Sequence, residues 1–135
     1  LAARLESSAK HYGVYNFVGE NIYEATKDDF IFRFLDFVKV KGKNIPVKVY
    51  ELVSHKNNIN NENIMLVKKF EEGIDLYFQQ NWKKALSKFE ESKKLEDYFE
   101  ARNTTPSQIY IDRCKQFQKT PPEKNWNGVW TMTSK

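Results

Sequence analysis

Residues 30–53, FIFRFLDFVKVKGKNIPVKVYELV, constrain the fold of this chain more than any other stretch. Phenylalanine, isoleucine, valine and tyrosine dominate both halves, a composition that is typical of half-buried strands. The pattern predicts one strand at about 30–40 and a second at about 45–53. Gly42 lies at the turn between them, where a residue without a Cβ atom is least strained. The sequence therefore predicts a β-hairpin on which neighbouring segments must pack.

Alternation along the first strand predicts two different faces. The apolar face consists of Phe30, Phe32, Phe34, Val38 and Val40. The opposite face includes Arg33, Lys39 and Lys41 and becomes basic towards the turn, where a lysine is well placed to meet an anion. An isolated two-stranded hairpin is marginal in water. We therefore expect the phenylalanine face to be covered by the first helix, by the helical C-terminal half or by a second copy of the chain.

The residues before the hairpin predict three further elements. Leu1–Tyr12 has apolar residues at helical spacing, and Gly13 suits the position after a helix end. Val14–Val18 is short and apolar enough for a strand, and Ile22–Thr26 fits a brief helix. The predicted order is helix, strand, short helix and β-hairpin, which is an α+β arrangement.

Two segments in this order carry a resemblance to a known family. LAARLE at the start of the chain, followed by FRFLDFVKVKGKNIPVKVYEL, resembles the C-terminal end of class III adenylate/guanylate cyclase catalytic domains. The resemblance covers roughly residues 1–53 and implies the C-terminal portion of a ferredoxin-like cyclase domain. The resemblance also implies that the longer parent protein is an enzyme of cyclic-nucleotide signalling, a phosphorus-oxygen lyase. That enzyme would convert ATP, with GTP as the less favoured substrate, to the cyclic 3′,5′-monophosphate and pyrophosphate.

The resemblance assigns roles to two residues. Arg4 takes the place of the arginine that stabilises the transition state, and Lys41 takes the place of the lysine that holds the terminal phosphates. Phosphoryl transfer depends mainly on positioning and charge stabilisation, which suits both side chains. Spacing and charge alone would leave Arg4 as an exposed helix residue and Lys41 as a solvated turn residue.

Several parts of the family's active site are missing from the chain. The catalytic asparagine would precede Leu1, and the two metal-binding aspartates and their strands would lie further upstream. Asp28, Asp29 and Asp36 fall in the wrong segments to replace those aspartates. We therefore expect Mg²⁺ or Mn²⁺ in the parent enzyme only, no metal bound to this chain, and no activity from the chain alone. The first residue is Leu1 rather than methionine, and we expect a piece of a longer protein.

The second half predicts a helical extension. Residues 54–63, SHKNNINNEN, are polar and predict a linker between a first domain at 1–53 and a second at 64–135. Ile64–Gln80 and Trp82–Leu95 have helical periodicity, with Asn81 as the cap of the second helix. Thr105 as cap and Pro106 at the first helical position predict a third helix, Pro106–Gln118.

The first two of these helices resemble one tetratricopeptide-like hairpin. The resemblance rests on the offsets of Gly73, Ala85 and Phe89, with two small residues that let the helices approach closely. The two tryptophans of the tail, NWNGVWTM, are expected to fold back onto the helices or to dock on a partner. The capped third helix, the Pro-Pro pair and the tail also look like an extension that follows the catalytic domain in some bacterial cyclases.

Composition narrows the remaining function classes. The single cysteine, Cys114, excludes an internal disulfide and fits a reducing compartment, the cytoplasm. Two histidines far apart in the sequence and one cysteine make a zinc site a poor candidate. The net charge of +4 is spread over both halves, so we expect no nucleic-acid partner. No apolar run reaches the roughly 20 residues that cross a bilayer, so this segment predicts no membrane contact, although the parent could be anchored elsewhere.

Two functions remain open. In the first, the chain is part of a cyclase that binds a nucleoside triphosphate and forms a homodimer, with a possible protein partner for the helical extension. In the second, the chain is an interaction or dimerisation module. Its helical half would bind a protein, and its hairpin would offer an edge for strand addition.

Overall fold

The structure, a computed structural model, describes residues 9–39, 44–96 and 103–131. The chain divides into two compact units. The sheet unit comprises Leu1–Ile59 and Asn127–Lys135, and the helical unit comprises Asn60–Trp126. The mixed α and β content agrees with the predicted α+β class.

Among its described residues, the sheet unit contains a sheet of four strands in the order β1-β3-β2-β4. β1 and β2 both pair antiparallel with β3, and β2 pairs parallel with β4. A short helix, α1, follows β1 directly. The bounds of these elements are β1 Phe17–Gly19, α1 Glu20–Thr26, β2 Phe30–Lys39, β3 Val47–His55 and β4 Trp130–Thr131. The predicted hairpin is confirmed as β2 and β3, and the predicted short strand and short helix are present with shifted ends.

The β2–β3 ladder contains two irregularities that the sequence analysis did not predict. The register shifts between Phe34 and Asp36, which leaves Leu35 as an extra residue on β2, and it shifts again between Ile31 and Phe32. An extra residue reverses the faces beyond it, because side chains alternate along a strand. Phe34 pairs with Tyr50, whereas Val38 pairs with Val47, three residues away on β3. The prediction that Val38 shares the face of Phe34 is therefore wrong.

An aromatic cluster covers one face of this sheet. The ring of Tyr23, on α1, stacks on Tyr50 with centroids 4.0 Å apart and meets Phe32 edge-on at 5.1 Å. Phe30 and Phe34 also contact this cluster. Part of the cover of the phenylalanine face thus comes from α1, an element outside the three predicted covers. α1 can do so because it follows β1 immediately and lies beside β3.

The helical residues 9–12 end at Gly13. The amide of Gly13 donates to the carbonyl of Lys10, and the amide of Val14 donates to the carbonyl of Ala9. These are the two hydrogen bonds of a Schellman motif, which needs a left-handed residue, and Gly13 has φ 72°. The predicted helix end is confirmed, whereas residues 1–8 of that predicted helix lie outside the described residues.

The helical unit consists of α2 Asn61–Phe78, α3 Trp82–Leu95 and α4 Pro106–Lys119. Asn60, Asn81 and Thr105 cap their N-termini, each through a side-chain oxygen that accepts from a backbone amide three residues later. The predicted second and third helices are confirmed with their caps. α2 begins earlier than predicted, at Asn61, because Asn60 caps it. β3 extends to His55, so β3 and α2 occupy the two ends of the segment 54–63.

The helices of this unit pack through an aromatic core. Phe70 of α2, Phe89 of α3 and Tyr110 of α4 are all fully buried, and each ring contacts the other two. A Cβ atom added at Gly73 would lie 2.8–3.0 Å from ring atoms of Phe89. The predicted close approach of two helices at Gly73 is thus present.

Trp126 and Trp130, the two tail tryptophans, have different positions. The Trp126 ring packs against Tyr77, Trp82 and Phe117, at centroid distances of 5.5, 5.6 and 5.7 Å. This confirms for Trp126 the prediction that the tail folds back onto the helices. Trp130 instead forms β4 in the sheet unit, where it pairs with Val38.

Candidate functional site

Arg4 and Lys41, the two residues that the sequence assigns to the phosphates, both lie outside the described residues. The structure describes the chain from residue 9 onward after Arg4, and it describes both sides of the segment 40–43 that contains Lys41. Helical residues 9–12 follow Arg4, and Lys39, the last residue of β2, precedes Lys41 by two positions. The elements that flank these residues therefore define the described part of the candidate site.

A buried ion pair joins the two long strands. Arg33 of β2 is directly opposite Glu51 of β3. Its Nη2 and Nε atoms lie 2.6 and 2.9 Å from Glu51 Oε1, and the Arg33 side chain is 2% exposed. A charge buried to this extent is tolerated only when it is paired and hydrogen-bonded. The pair fixes the β2–β3 register, and it places Arg33 in the interior and not on an exposed basic face.

A second buried polar contact joins the first helical residues to β2. Tyr12 and Asp36 are both 0% exposed, and the Tyr12 hydroxyl donates to Asp36 Oδ2. Asp36 Oδ1 accepts a hydrogen bond from the backbone amide of Phe37 at 2.8 Å. The Tyr12 ring also stacks on Phe17 of β1, with centroids 5.8 Å apart. Tyr12 is thereby held by contacts to two different strands.

The bulge at Leu35 explains how Asp36 reaches this position. Strict alternation would place Asp36 with Phe32 and Phe34 in the aromatic cluster. The extra residue brings Asp36 opposite Val49 instead, on the face opposite Tyr50. Sequence analysis missed Arg33 and Asp36 as buried residues. One signal in the sequence indicates their burial: both charged residues interrupt the otherwise apolar run FIFRFLDFV.

The described residues provide no evident metal site. Within 9–39, 44–96 and 103–131, no group of three or more histidine, cysteine, aspartate or glutamate side chains is arranged to hold an ion. Asp28 and Asp29 are exposed in the turn after α1, and Asp36 is engaged by Tyr12. His55 is exposed, and its Nδ1 accepts from the Asn57 amide at 3.1 Å, which caps a short 3-10 turn. These residues do not fit a site for two divalent ions.

Cys114 is a core residue of the helical unit. Its side chain is 0% exposed, and burial raises the pKa of the thiol from 9.0 to about 12. A thiol with so high a pKa is not a nucleophile at neutral pH, because the thiolate is the reactive form.

A surface groove of about 440 Å³ lies between α3 and α4. Three lysines, one glutamate, one glutamine and one isoleucine line it: Glu90, Lys93, Lys94, Gln108, Ile111 and Lys115. Lys93 Nζ donates to Gln108 Oε1 at 2.5 Å, which links the two helices across the groove. Four of the six lining residues are charged, and lysines outnumber glutamate three to one. Across the described parts of the chain, no helix is both long and apolar enough to cross a lipid bilayer.

Comparison with known proteins identifies one related enzyme. The chain is 31% identical, over 89% of its length, to the terminal-differentiation specific adenylate cyclase of Dictyostelium discoideum. It spans 6% of the length of that protein. Each unit holds roughly half of the chain, so a match of this extent includes most of both. No protein-family profile matches the chain, and no solved structure matches it. The chain is therefore a distant relative of an adenylate cyclase.

Proposed function

We propose that this chain is part of a nucleotidyl cyclase. The complete protein would convert ATP, with GTP as the less favoured substrate, to the cyclic 3′,5′-monophosphate and pyrophosphate for signalling. The observation that carries this proposal is the relationship to an adenylate cyclase over both units. The LAARLE and FRFLDFVKVKGKNIPVKVYEL segments, which resemble the C-terminal end of a cyclase catalytic domain, agree with it. The buried cysteine is consistent with a cytoplasmic location.

In this proposal Arg4 and Lys41 act on the triphosphate. The ribose 3′-hydroxyl attacks the α-phosphorus and releases its proton to solvent, the bond to the bridging oxygen breaks, and pyrophosphate leaves with the electron pair. Arg4 donates hydrogen bonds to phosphate oxygens as charge develops on them. Lys41 holds the terminal phosphates before and during the reaction. β2 ends at Lys39 and β3 begins at Val47, so two paired strands flank the segment that contains Lys41.

The rest of the catalytic machinery would come from outside this chain. Cyclases of this class use two Mg²⁺ or Mn²⁺ ions, and the described residues offer no ligand cluster for them. In a homodimer, one subunit would supply the metal-binding aspartates and the other would supply Arg4 and Lys41. We therefore expect the isolated chain to be inactive.

Two substitutions in the full-length protein test the assigned roles. Lys41→Ala should raise the KM for the nucleotide with a smaller change in kcat, because it removes binding to phosphates that do not react. Arg4→Ala should lower kcat by about 10²-fold or more, because it removes stabilisation specific to the transition state. Lys39→Ala, two positions from Lys41, is the matched control and should leave both constants unchanged. Equal constants in wild type and both variants would exclude the assigned roles.

Activity of the chain by itself is the second test. The 135-residue chain should form no cyclic nucleotide from ATP and Mn²⁺. Measurable product from the purified chain would contradict the proposed division of the site between subunits.

The groove between α3 and α4 favours a second candidate function, that of an interaction module. Lys93, Lys94 and Lys115 give it an excess of positive charge over Glu90, which suits an acidic segment of a protein partner. The resemblance of the sequence of α2 and α3 to a tetratricopeptide-like hairpin, which rests on Gly73, Ala85 and Phe89, supports the same function. If the groove binds an acidic protein segment, the double variant Lys94→Glu with Lys115→Glu should lose binding of the partner protein and keep its cyclase activity unchanged. Retention of the partner by this double variant would contradict the assignment.

A further inference from the structure

The groove between α3 and α4 differs in its ion pairing from the adjoining seam between α2 and α3. At that seam, lysines are neutralised by cross-helix ion pairs of 3.1 and 3.4 Å, Lys69–Glu91 and Lys88–Glu72. In the groove, Lys93 donates to the neutral side chain of Gln108. Within the described segments, Lys94 and Lys115 form no ion pair within 4.0 Å. The positive charge of these two groove lysines is therefore left for an anionic ligand.

The segment 20–29, ENIYEATKDD, carries the opposite charge on the surface of the sheet unit. It spans α1 and the turn that follows α1. Four of its residues are acidic and one is a lysine, and all five are exposed: Glu20, Glu24, Lys27, Asp28 and Asp29. Glu20 and Glu24 lie four positions apart and so share one face of α1. The ring of Tyr23 packs on Tyr50, which holds α1 on the sheet while its acidic residues stay in solvent.

We propose that the groove between α3 and α4 binds the acidic segment 20–29 of a second copy of this chain. The two surfaces are complementary in charge, because the groove has three lysines and one glutamate and the segment has four acids and one lysine. The one lysine of the segment, Lys27, suits the one acid of the groove, Glu90. This inference names the partner of the interaction module proposed above and rests on that second candidate function.

A chain with both surfaces needs no other protein to fill its groove. The contact is heterologous, because different surfaces of the two copies meet. Opposite charges favour the encounter of the two copies, and dissolved salt screens this attraction. The contact involves neither Arg4 nor Lys41, so it is separate from the proposed nucleotide site.

Sedimentation velocity of the 135-residue chain at rising concentration measures this association directly. Exposed ion pairs are individually weak, so we expect a dissociation constant on the order of 0.1 mM at about 0.05 M ionic strength. At about 0.5 M ionic strength the constant should be at least tenfold larger. A chain that stays monomeric up to about 1 mM at the lower ionic strength would overturn the inference.

Reversal of charge on each surface identifies the residues that meet. The groove variant, Lys94→Glu with Lys115→Glu, and the segment variant, Glu20→Lys with Asp28→Lys, should each associate at least about tenfold more weakly than wild type. An equimolar mixture of the two variants should associate again, because the native segment of the first meets the native groove of the second. Unchanged association of either variant alone, or a mixture that stays monomeric, would overturn the inference.

Two control variants change the net charge equally at exposed positions outside both surfaces. They are Lys68→Glu with Lys83→Glu, and Glu62→Lys with Asp75→Lys. Glu62 lies in the first turn of α2 as Glu20 does in that of α1, so the second control also matches the loss of an acid near a helix start. Association should stay within about twofold of wild type in both controls. Losses as large as those of the groove and segment variants would show an effect of net charge alone and would overturn the inference.

A fluorescein-labelled peptide rich in glutamate, with no sequence from this chain, separates this inference from the proposed function. If the peptide binds wild type but not the groove variant while the chain stays monomeric, the groove binds acidic segments but a second copy is not its partner. If neither the peptide nor a second copy binds, both the inference and the interaction module fail.

Discussion

The close approach of α2 and α3 at Gly73 allows a quantitative test by Gly73→Ala. On helix propensity alone this substitution should stabilise α2 by about 1 kcal/mol. The added Cβ, however, would lie 2.8 Å from Cε1 and 2.9 Å from Cζ of Phe89, closer than carbon atoms approach without strain. The Phe89 ring is fully buried and stacks on Tyr110 at 4.9 Å, so it has little room to move. Overpacking of this kind costs about 1–3 kcal/mol.

The two effects oppose each other, and the steric effect should be the larger. We expect Gly73→Ala to lower the free energy of unfolding of the helical unit by about 1 kcal/mol. Urea unfolding can be followed by tryptophan fluorescence in a Trp130→Phe background. The two remaining tryptophans, Trp82 and Trp126, both lie in the helical unit.

Phe89→Leu provides the matched background for this measurement. A leucine has no ring to meet the added methyl group, so Gly73→Ala should be neutral or stabilising by up to about 1 kcal/mol in that background. The difference between the two backgrounds measures the clash itself. If Gly73→Ala stabilises the chain equally in the wild-type and Phe89→Leu backgrounds, the helices do not approach as described and the reasoning fails.

Three further predictions concern single interactions. Glu51→Ala should destabilise β2 and β3 by about 3 kcal/mol, because it leaves the buried Arg33 without this carboxylate. The double variant Arg33→Met with Glu51→Leu should cost less stability. Hydrogen exchange of the strand amides measures both effects, and equal losses of stability would contradict the pairing. Thr105→Ala should destabilise α4 by about 1 kcal/mol and Thr105→Ser by less, as measured by urea unfolding, since only the hydroxyl caps the Gln108 amide. Between pH 9 and about 12 the folded chain keeps the Cys114 proton that the unfolded chain loses, so the free energy of unfolding should fall as pH rises, by up to about 1.4 kcal/mol per pH unit. This slope should be weaker in Cys114→Ala, and identical slopes in the two proteins would refute the burial effect.

The helical unit could be predicted closely from the sequence because its signals are local. An N-cap and the residue that it serves are three positions apart, so Asn81 and Thr105 mark helix starts without knowledge of the tertiary structure. The spacing of Gly73, Ala85 and Phe89 likewise indicates which faces of two helices meet. These features depend on backbone geometry within one or two turns of helix.

The sheet unit was harder to predict because its decisive features depend on residues far apart in the chain. The bulge at Leu35 exists only in relation to Tyr50 and Val49 on the neighbouring strand. The contact of Tyr12 with Asp36 joins positions 24 residues apart. Strict alternation along β2 therefore failed where a partner strand, and not local propensity, sets the register. Arg4 and Lys41 lie outside the described residues, so their roles stay predictions from sequence.

The two-residue strand β4 links the stabilities of the two units through the chain itself. Its pairing with β2 joins Val38 to Trp130 and so closes a loop that contains the whole helical unit. If that unit unfolds, the chain between His55 at the end of β3 and Trp130 becomes a flexible loop of roughly 75 residues, whose closure carries an entropic cost that two ladder residues can hardly offset. β4 should then detach from β2. The pairing of Trp130 with Val38 should therefore persist only while α2, α3 and α4 are folded.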